Sequence, residues 1–162
     1  MFSLMDSRTK DRARSIFTSG QVGLIPPHEL PDVATELLVM GYDSPTLREL
    51  AGLPPGDRSD AAELWEAARE ELGFRPETDE EAARFLLRHW AQEIAEGRLE
   101  VVPGSRRMLR VGWFPLDQPE ELVPLLNLLD DWDEIPRFRE RIASELLVFA
   151  QDYVHERPRP SS

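Results

Sequence analysis

Residues 60–97 read DAAELWEAAREELGFRPETDEEAARFLLRHWAQEIAEG, and this stretch decides the fold. Its first half spaces apolar residues as on one buried helix face, and these residues are Ala61, Leu64, Trp65, Ala68 and Leu72. Gly73 follows at a typical helix end, and Thr78 with Glu81 forms a capping box that begins a second helix. The second helix ends at Gly97 and turns inward Ala82, Phe85, Leu86, Trp90 and Ile94. Two capped amphipathic helices predict an all-α fold.

Helical spacing recurs on both sides of this stretch, and no run of residues alternates well enough to build a sheet. Residues 99–114 fit two structures, a short hairpin around Pro103-Gly104 or a short helix that begins at Pro103. The helix is the favoured interpretation. We therefore predict a single compact orthogonal bundle of six or seven helices.

The 162 residues are enough for one domain of ordinary size. Residues 1–22 are expected to be mobile or marginally helical, because the apolar face over residues 6–17 is weak. Residues 23–155 are predicted to form the helical domain. Residues 156–162 are rich in proline and serine and are predicted to be a disordered tail.

The composition excludes several classes of protein. The chain has no cysteine, so disulfides, thiolate metal sites and thiol nucleophiles are excluded, and a reducing, cytoplasmic location is expected. Apolar runs are far too short to span a membrane, so no membrane association is expected. The first ten residues also lack an apolar stretch of signal-peptide length. Arginine supplies 18 of the 19 basic residues, which together with abundant proline and alanine is typical of a high-GC bacterial genome.

The net charge of −12 is distributed unevenly along the chain. Residues 21–97 sum to −11 and residues 113–135 to −7, whereas the connector 98–112 between them sums to +3. The connector holds Arg106, Arg107 and Arg110, which are interpreted as counterions for the acidic helices. Because so acidic a chain repels phosphate, we expect no nucleic-acid partner.

The residues that most often carry catalysis are sparse. Histidine occurs only at His28, His89 and His155, and no pair has metal-ligand spacing. The sequence contains no nucleophile elbow, no P-loop and no dinucleotide fingerprint. We therefore predict no catalytic residue, no metal site and no cofactor, and we expect a protein that is not an enzyme. A small divalent-ion enzyme that uses carboxylates and His89 stays open as an alternative.

An acidic cluster at the end of the helix predicted before Pro136 is the best candidate for a partner-binding site. It contains four carboxylates around one tryptophan: Asp130, Asp131, Trp132, Asp133 and Glu134. Calcium loops need alternating oxygen ligands and a turn glycine, which this cluster lacks, so a solvated helix end or a protein-binding patch is favoured over a metal site. Trp113 is added to the predicted site, because tryptophan beside charge is typical of interface hot spots. The acidic residues Glu70, Glu71, Glu80 and Glu81 form a second candidate surface.

Two stretches carry a resemblance to known sequences. Residues 47–53, LRELAGL, and residues 93–97, EIAEG, followed by Arg106-Arg107, resemble sequences in small acidic helical proteins of high-GC bacteria. Some proteins of that kind are encoded beside secreted toxins. The resemblance implies an uncharacterised helical family in which an immunity role is suspected, and it implies no catalytic residue.

The functional hypothesis is a non-enzymatic, acidic protein-binding module that engages a basic protein partner, with a toxin-neutralising or regulatory role. An acidic face can imitate the phosphates that a nuclease expects and can accelerate encounter through long-range attraction. An oligomeric scaffold assembled through Trp113 and Trp132 is a further alternative, and the sequence leaves the oligomeric state open.

Overall fold

A computed structural model describes residues 3–54 and 60–155, with side chains from Arg8 onward. In these residues the chain is all-helical and has no strand, which confirms the predicted fold class. Eight α-helices are present instead of six or seven: α1 Ser3–Gln21, α2 Leu30–Val39, α3 Pro45–Ala51, α4 Ala61–Glu71, α5 Asp79–Ala95, α6 Val101–Gly112, α7 Val123–Glu134 and α8 Arg139–His155. Short 3₁₀ turns at Pro27–Glu29, Glu120–Leu122 and Pro136–Phe138 lead into α2, α7 and α8.

The chain divides into two compact units, residues 1–78 with α1 to α4 and residues 79–162 with α5 to α8. The sequence predicts one domain over residues 23–155 and no boundary near residue 78. Each unit carries a net charge of −6. The tail 156–162 that was predicted to be disordered lies outside the described residues.

Unit 1 packs α1, α2, α3 and α4 around one apolar core. Ser44 is the N-cap residue of α3, and its side-chain oxygen accepts a hydrogen bond from the Leu47 amide at 3.0 Å. Trp65 is buried on α4, and the ring of Phe17 from α1 lies 4.8 Å from the ring of Trp65. The segment predicted to be mobile or marginally helical is thus a helix of 19 residues whose Ala13 and Phe17 belong to the core.

Glu77 fastens α1 to the end of unit 1. The Glu77 carboxylate forms an ion pair with Arg14 and accepts a hydrogen bond from the Thr18 hydroxyl at 3.3 Å. The Glu77 amide donates to the side-chain oxygen of Gln21 at 3.0 Å, and the Gln21 side-chain nitrogen donates back to the Glu77 carbonyl. These polar contacts join α1 to the segment that follows α4.

Unit 2 is built on α5, which packs against α6 and α8, while α7 packs against α6 and α8. Trp90 and Ile94 of the predicted inward face are buried on α5. Residues 101–112 form α6, so the favoured helical interpretation is confirmed and the hairpin is absent. Pro103 lies in the first turn of α6, where the missing amide hydrogen has no intrahelical partner to lose.

Candidate functional site

The predicted acidic cluster occupies the last turn of α7. This helix begins with Pro124 in its first turn, buries Leu125 and Leu129, and ends at Glu134. The carbonyl end of a helix carries partial negative charge, so carboxylates there lower its stability. No lysine, arginine or histidine occurs between Arg110 and Arg137, so the stretch that contains α7 has no cation of its own. The acidic end of α7 must be compensated from other helices.

The negative charge of Asp133 is neutralised by an arginine of α6. Its carboxylate accepts hydrogen bonds from the Arg106 guanidinium at 2.8 and 3.4 Å. The hydrogen bond from Arg106 lowers the pKa of Asp133 against the opposing effect of burial, and attraction to Arg106 and then Arg139 lowers it further. The predicted counterion role of the connector is thus confirmed for Arg106. Arg107 and Arg110 are exposed on α6.

The partial negative charge of the Trp132 carbonyl is neutralised by Arg139, the first residue of α8. The Arg139 guanidinium lies 5.1 Å above the Trp132 ring, and its Nε donates a hydrogen bond to the Trp132 carbonyl at 3.0 Å. That carbonyl is one of the last four of α7, which have no amide partner within the helix. Arg139 therefore caps α7 and covers one face of the half-buried tryptophan.

Asp130, Asp131 and Glu134 remain uncompensated. All three are exposed, and none has an ion-pair or hydrogen-bond partner within residues 3–54 and 60–155. Asp130 and Asp131 precede Glu134 by four and three positions, so the three carboxylates share one side of α7 and repel one another. We call these three residues the acidic face of α7.

Trp113 is not part of that face. It is the C-cap residue of α6 and is half-buried. It lies seven positions after Arg106 and therefore about 10 Å along α6 from the residue that meets Asp133. The structure thus brings together five of the six predicted site residues on α7 and places Trp113 two helical turns away on α6.

Two residues of the second candidate surface, Glu71 and Glu80, take part in internal contacts. Glu71 accepts hydrogen bonds from the side chain and the backbone amide of Thr46, and the side-chain bond is the first cause of its lowered pKa. Glu80 forms an ion pair with Arg84 at 3.3 Å. Glu71 belongs to unit 1 and Glu80 to unit 2, so these carboxylates act within their own units.

His89, the centre of the alternative enzymatic interpretation, lies on α5 with 16% of its side chain exposed. Its ring stacks on Phe85 at 5.8 Å, and its Nε2 lies 3.9 Å from the Glu93 carboxylate. Across the described part of the chain, no group of three or more histidine and acidic side chains is arranged to hold a metal ion. His89 therefore has the setting of a helix-boundary residue with a local carboxylate.

The ion pair of Asp133 with Arg106 predicts a pH dependence. Because folding lowers the pKa of Asp133, its stabilising effect is present above the ordinary aspartate pKa of about 4 and is lost as the pH falls through the lowered value. The urea midpoint of the parent protein should therefore exceed that of Asp133→Asn at pH 7, and the difference should shrink as the pH falls from about 5 to about 2. Asp131→Asn, which removes an unpaired carboxylate of the same helix turn, is the control. A difference that stays constant over this range would contradict the role of Arg106.

One exposed feature beside Trp113, the side chain of Phe114, was not predicted. Phe114 is 76% exposed in the turn after α6, and Asp117 and Gln118 in the same turn have positive φ angles of 57° and 49°. Two clues in the sequence pointed to it: aromatic residues fall at 113 and 114 with prolines at 115 and 119, and no helical face accounts for Phe114.

None of the helices in the described residues is both long and apolar enough to cross a membrane. Comparison of the chain with family models, with curated proteins and with solved structures gave no match.

Proposed function

We propose that the chain is a cytoplasmic, non-enzymatic protein-binding module that engages a basic protein partner through α7. The observation that carries the proposal is the acidic face of α7. Asp130, Asp131 and Glu134 crowd the helix end least suited to negative charge, and none of them forms an ion pair within the described residues. Arginine or lysine side chains of a partner would supply the missing compensation.

The neighbouring residues support this proposal by holding the face in place. Arg106 engages Asp133, and Arg139 caps α7 through the Trp132 carbonyl. Two of the predicted contact residues are thereby bound internally, so in the proposal they position the helix end, while the acidic face makes the contact. A face that is already fixed loses little conformational entropy on binding.

A toxin-neutralising or regulatory role is the concrete form of the proposal. A row of fixed carboxylates can take the place that nucleic-acid phosphates occupy on a basic enzyme, and long-range attraction accelerates the encounter. In the proposal, the resemblance of residues 47–53 and 93–97 to small acidic helical proteins, some of them encoded beside toxins, supports the toxin-neutralising form.

The triple variant Asp130→Asn, Asp131→Asn, Glu134→Gln tests the acidic face. Its affinity for the basic partner, recovered with the immobilised parent protein at low salt, should fall about tenfold to hundredfold because long-range attraction and direct pairing are both lost. Its melting temperature should rise, because repulsion at the carbonyl end of α7 is removed. The parent protein should bind more weakly as salt rises from about 50 to 500 mM.

The control variant Glu29→Gln, Asp32→Asn, Glu49→Gln removes three exposed carboxylates from unit 1 and changes the net charge equally. It should retain most of the affinity. An equal loss of affinity in both variants would show that net charge acts and the acidic face does not. Affinity that is indifferent to salt would contradict a basic partner altogether.

A further inference from the structure

Phe114 projects from the turn that joins α6 to α7. Its side chain is 76% exposed, whereas none of the other phenylalanines in the described residues exceeds the 39% of Phe138. Single exposed apolar residues are common on protein surfaces and need no special explanation. The backbone and the charges around Phe114 distinguish it from such residues.

The backbone of this turn is held in one conformation. The Leu116 amide donates to the Gly112 carbonyl at 3.2 Å, the Asp117 amide to the Phe114 carbonyl at 3.0 Å, and the Gln118 amide to the Trp113 carbonyl at 2.6 Å. Asp117 and Gln118 both adopt the left-handed region, which side-chain-bearing residues rarely occupy. The prolines at 115 and 119 restrict the backbone of the turn further. The ring of Phe114 is thus presented by a fixed backbone.

Two carboxylates without an ion-pair partner follow Phe114 in the chain. Asp117 and Glu120 are exposed, and neither has an ion-pair partner in the part of the chain that the structure describes. The exposed Arg110 lies four positions before Phe114 at the end of α6, and no further cation occurs before Arg137. An apolar side chain with two unpaired carboxylates beside it is complementary to an apolar pocket rimmed by arginine or lysine. The same carboxylates repel nucleic acid, anionic lipid and a second copy of this acidic chain.

The distance between Phe114 and the acidic face suits one interface. The helix α7, which separates them, has 12 residues and is therefore about 18 Å long. A standard protein interface covers about 800 Å² on each partner, a patch roughly 30 Å across. A contact surface of that width is wider than α7 is long, so its size allows one partner to reach both Phe114 and the acidic face.

We propose that Phe114 is an apolar anchor that inserts into a pocket of a basic protein, and that arginine or lysine residues at the pocket rim meet Asp117 and Glu120. The inference rests on the proposed function, because the partner is the same basic protein that contacts the acidic face of α7. It adds a second contact and a chemical description of the partner surface. Aromatic side chains held by a rigid backbone are efficient anchors, since little motion is lost when they enter a pocket.

A photo-crosslinking experiment identifies the occupant. The photoreactive residue p-benzoylphenylalanine replaces Phe114 in the full chain, and in a control it replaces Phe138, whose ring lies 4.9 Å from the Arg137 guanidinium and 5.6 Å from that of Arg141. In cells that naturally express the chain, position 114 should crosslink to one protein with a strongly basic binding surface, and position 138 should not. Crosslinks only to a second copy of the chain, or no crosslinked protein at all, would overturn the proposal.

The crosslinked protein is then purified and its dissociation constant measured against three variants. Phe114→Ala should raise the dissociation constant about 30-fold or more with no change in melting temperature, because the ring is exposed in the free protein. Phe138→Ala should stay within about threefold of the parent protein. The triple variant of the acidic face should weaken binding independently of Phe114.

Each remaining outcome overturns the anchor, the basic partner or both. Parent-like affinity of Phe114→Ala together with weakened binding of the acidic-face variant overturns the anchor and leaves the proposed function standing. Loss of affinity in Phe114→Ala without any effect of the acidic-face variant or of salt overturns the basic partner. Binding of the parent protein to phosphatidylcholine or phosphatidylglycerol vesicles that is lost in Phe114→Ala would identify a lipid surface as the occupant and overturn both.

Discussion

Replacing Phe17 with alanine is expected to lower the free energy of unfolding of unit 1 by about 3–5 kcal/mol, the usual cost of removing a buried phenylalanine side chain. Phe17 lies between two other rings, 4.8 Å from the centroid of Trp65 and 4.7 Å from that of Phe74. The substitution leaves a cavity and removes two aromatic pairs, each of which contributes about 0.5–1.5 kcal/mol beyond its buried area.

The effect is large relative to the stability of the unit. A unit of 78 residues is expected to have a free energy of unfolding of about 4–12 kcal/mol. The helix α1 has little stability of its own, because an isolated helix of this length with a weak apolar face is marginal in water. Phe17 and the contact of Gly20 with Trp65, where a Cβ atom would lie 2.7 Å from the indole nitrogen, attach α1 to the core. Without Phe17 we expect α1 to detach.

Urea unfolding combined with hydrogen exchange measures this effect. Amides of α1 and α4 should exchange far faster in Phe17→Ala than in the parent protein. Phe114→Ala is the matched control, since it removes the same side chain from an exposed position and should change stability by less than about 0.5 kcal/mol. Parent-like protection of α1 in Phe17→Ala would show that the contacts of Ala13, Gly20 and Glu77 hold α1 without Phe17.

The sequence predicted the elements whose signals are local. The helices around residues 61–71 and 79–95 follow from apolar spacing, and their ends follow from Gly73 and Gly97, which adopt the positive φ angles of 82° and 78° that favour glycine. The acidic end of α7 was also predicted, because four carboxylates within five residues are visible in the sequence.

Features that depend on distant residues could not be predicted in this way. The burial of Phe17 depends on Trp65 and Phe74, which lie about fifty residues further along the chain. The spacing of apolar residues within α1 therefore could not show that Phe17 is buried. Which of the six predicted site residues are bound internally and which stay exposed likewise depends on a distant contact. Asp133 pairs with Arg106, 27 positions away. The sequence identified both residues as charged and left open which charges neutralise each other.

Two adjacent positions of α6 should respond to substitution with opposite signs. A Cβ atom built at Gly104 would lie 2.7 Å from Ile94 Cδ1 and 2.9 Å from Leu99 Cδ2, closer than side chains approach without displacement. Gly104 is buried and Ile94 is only 1% exposed, so there is no open space into which a larger side chain could turn. Gly104→Leu should therefore lower the stability of unit 2 by about 3 kcal/mol, through overpacking against α5.

Ser105→Ala should instead raise stability by about 1 kcal/mol, because it removes a desolvated hydroxyl that has no hydrogen-bond partner. The Ser105 side chain is 1% exposed, and its oxygen is without such a partner in the described residues.

Arg107→Leu on the exposed side of α6 controls for the introduction of leucine and should stay within about 0.5 kcal/mol of the parent protein. Thermal and urea unfolding of the three variants provides the measurement. A destabilised Ser105→Ala would mean that the hydroxyl is bonded after all, and a neutral Gly104→Leu would mean that α5 and α6 separate at little cost. Only close packing of the two helices together with an unpartnered hydroxyl produces opposite signs at neighbouring residues.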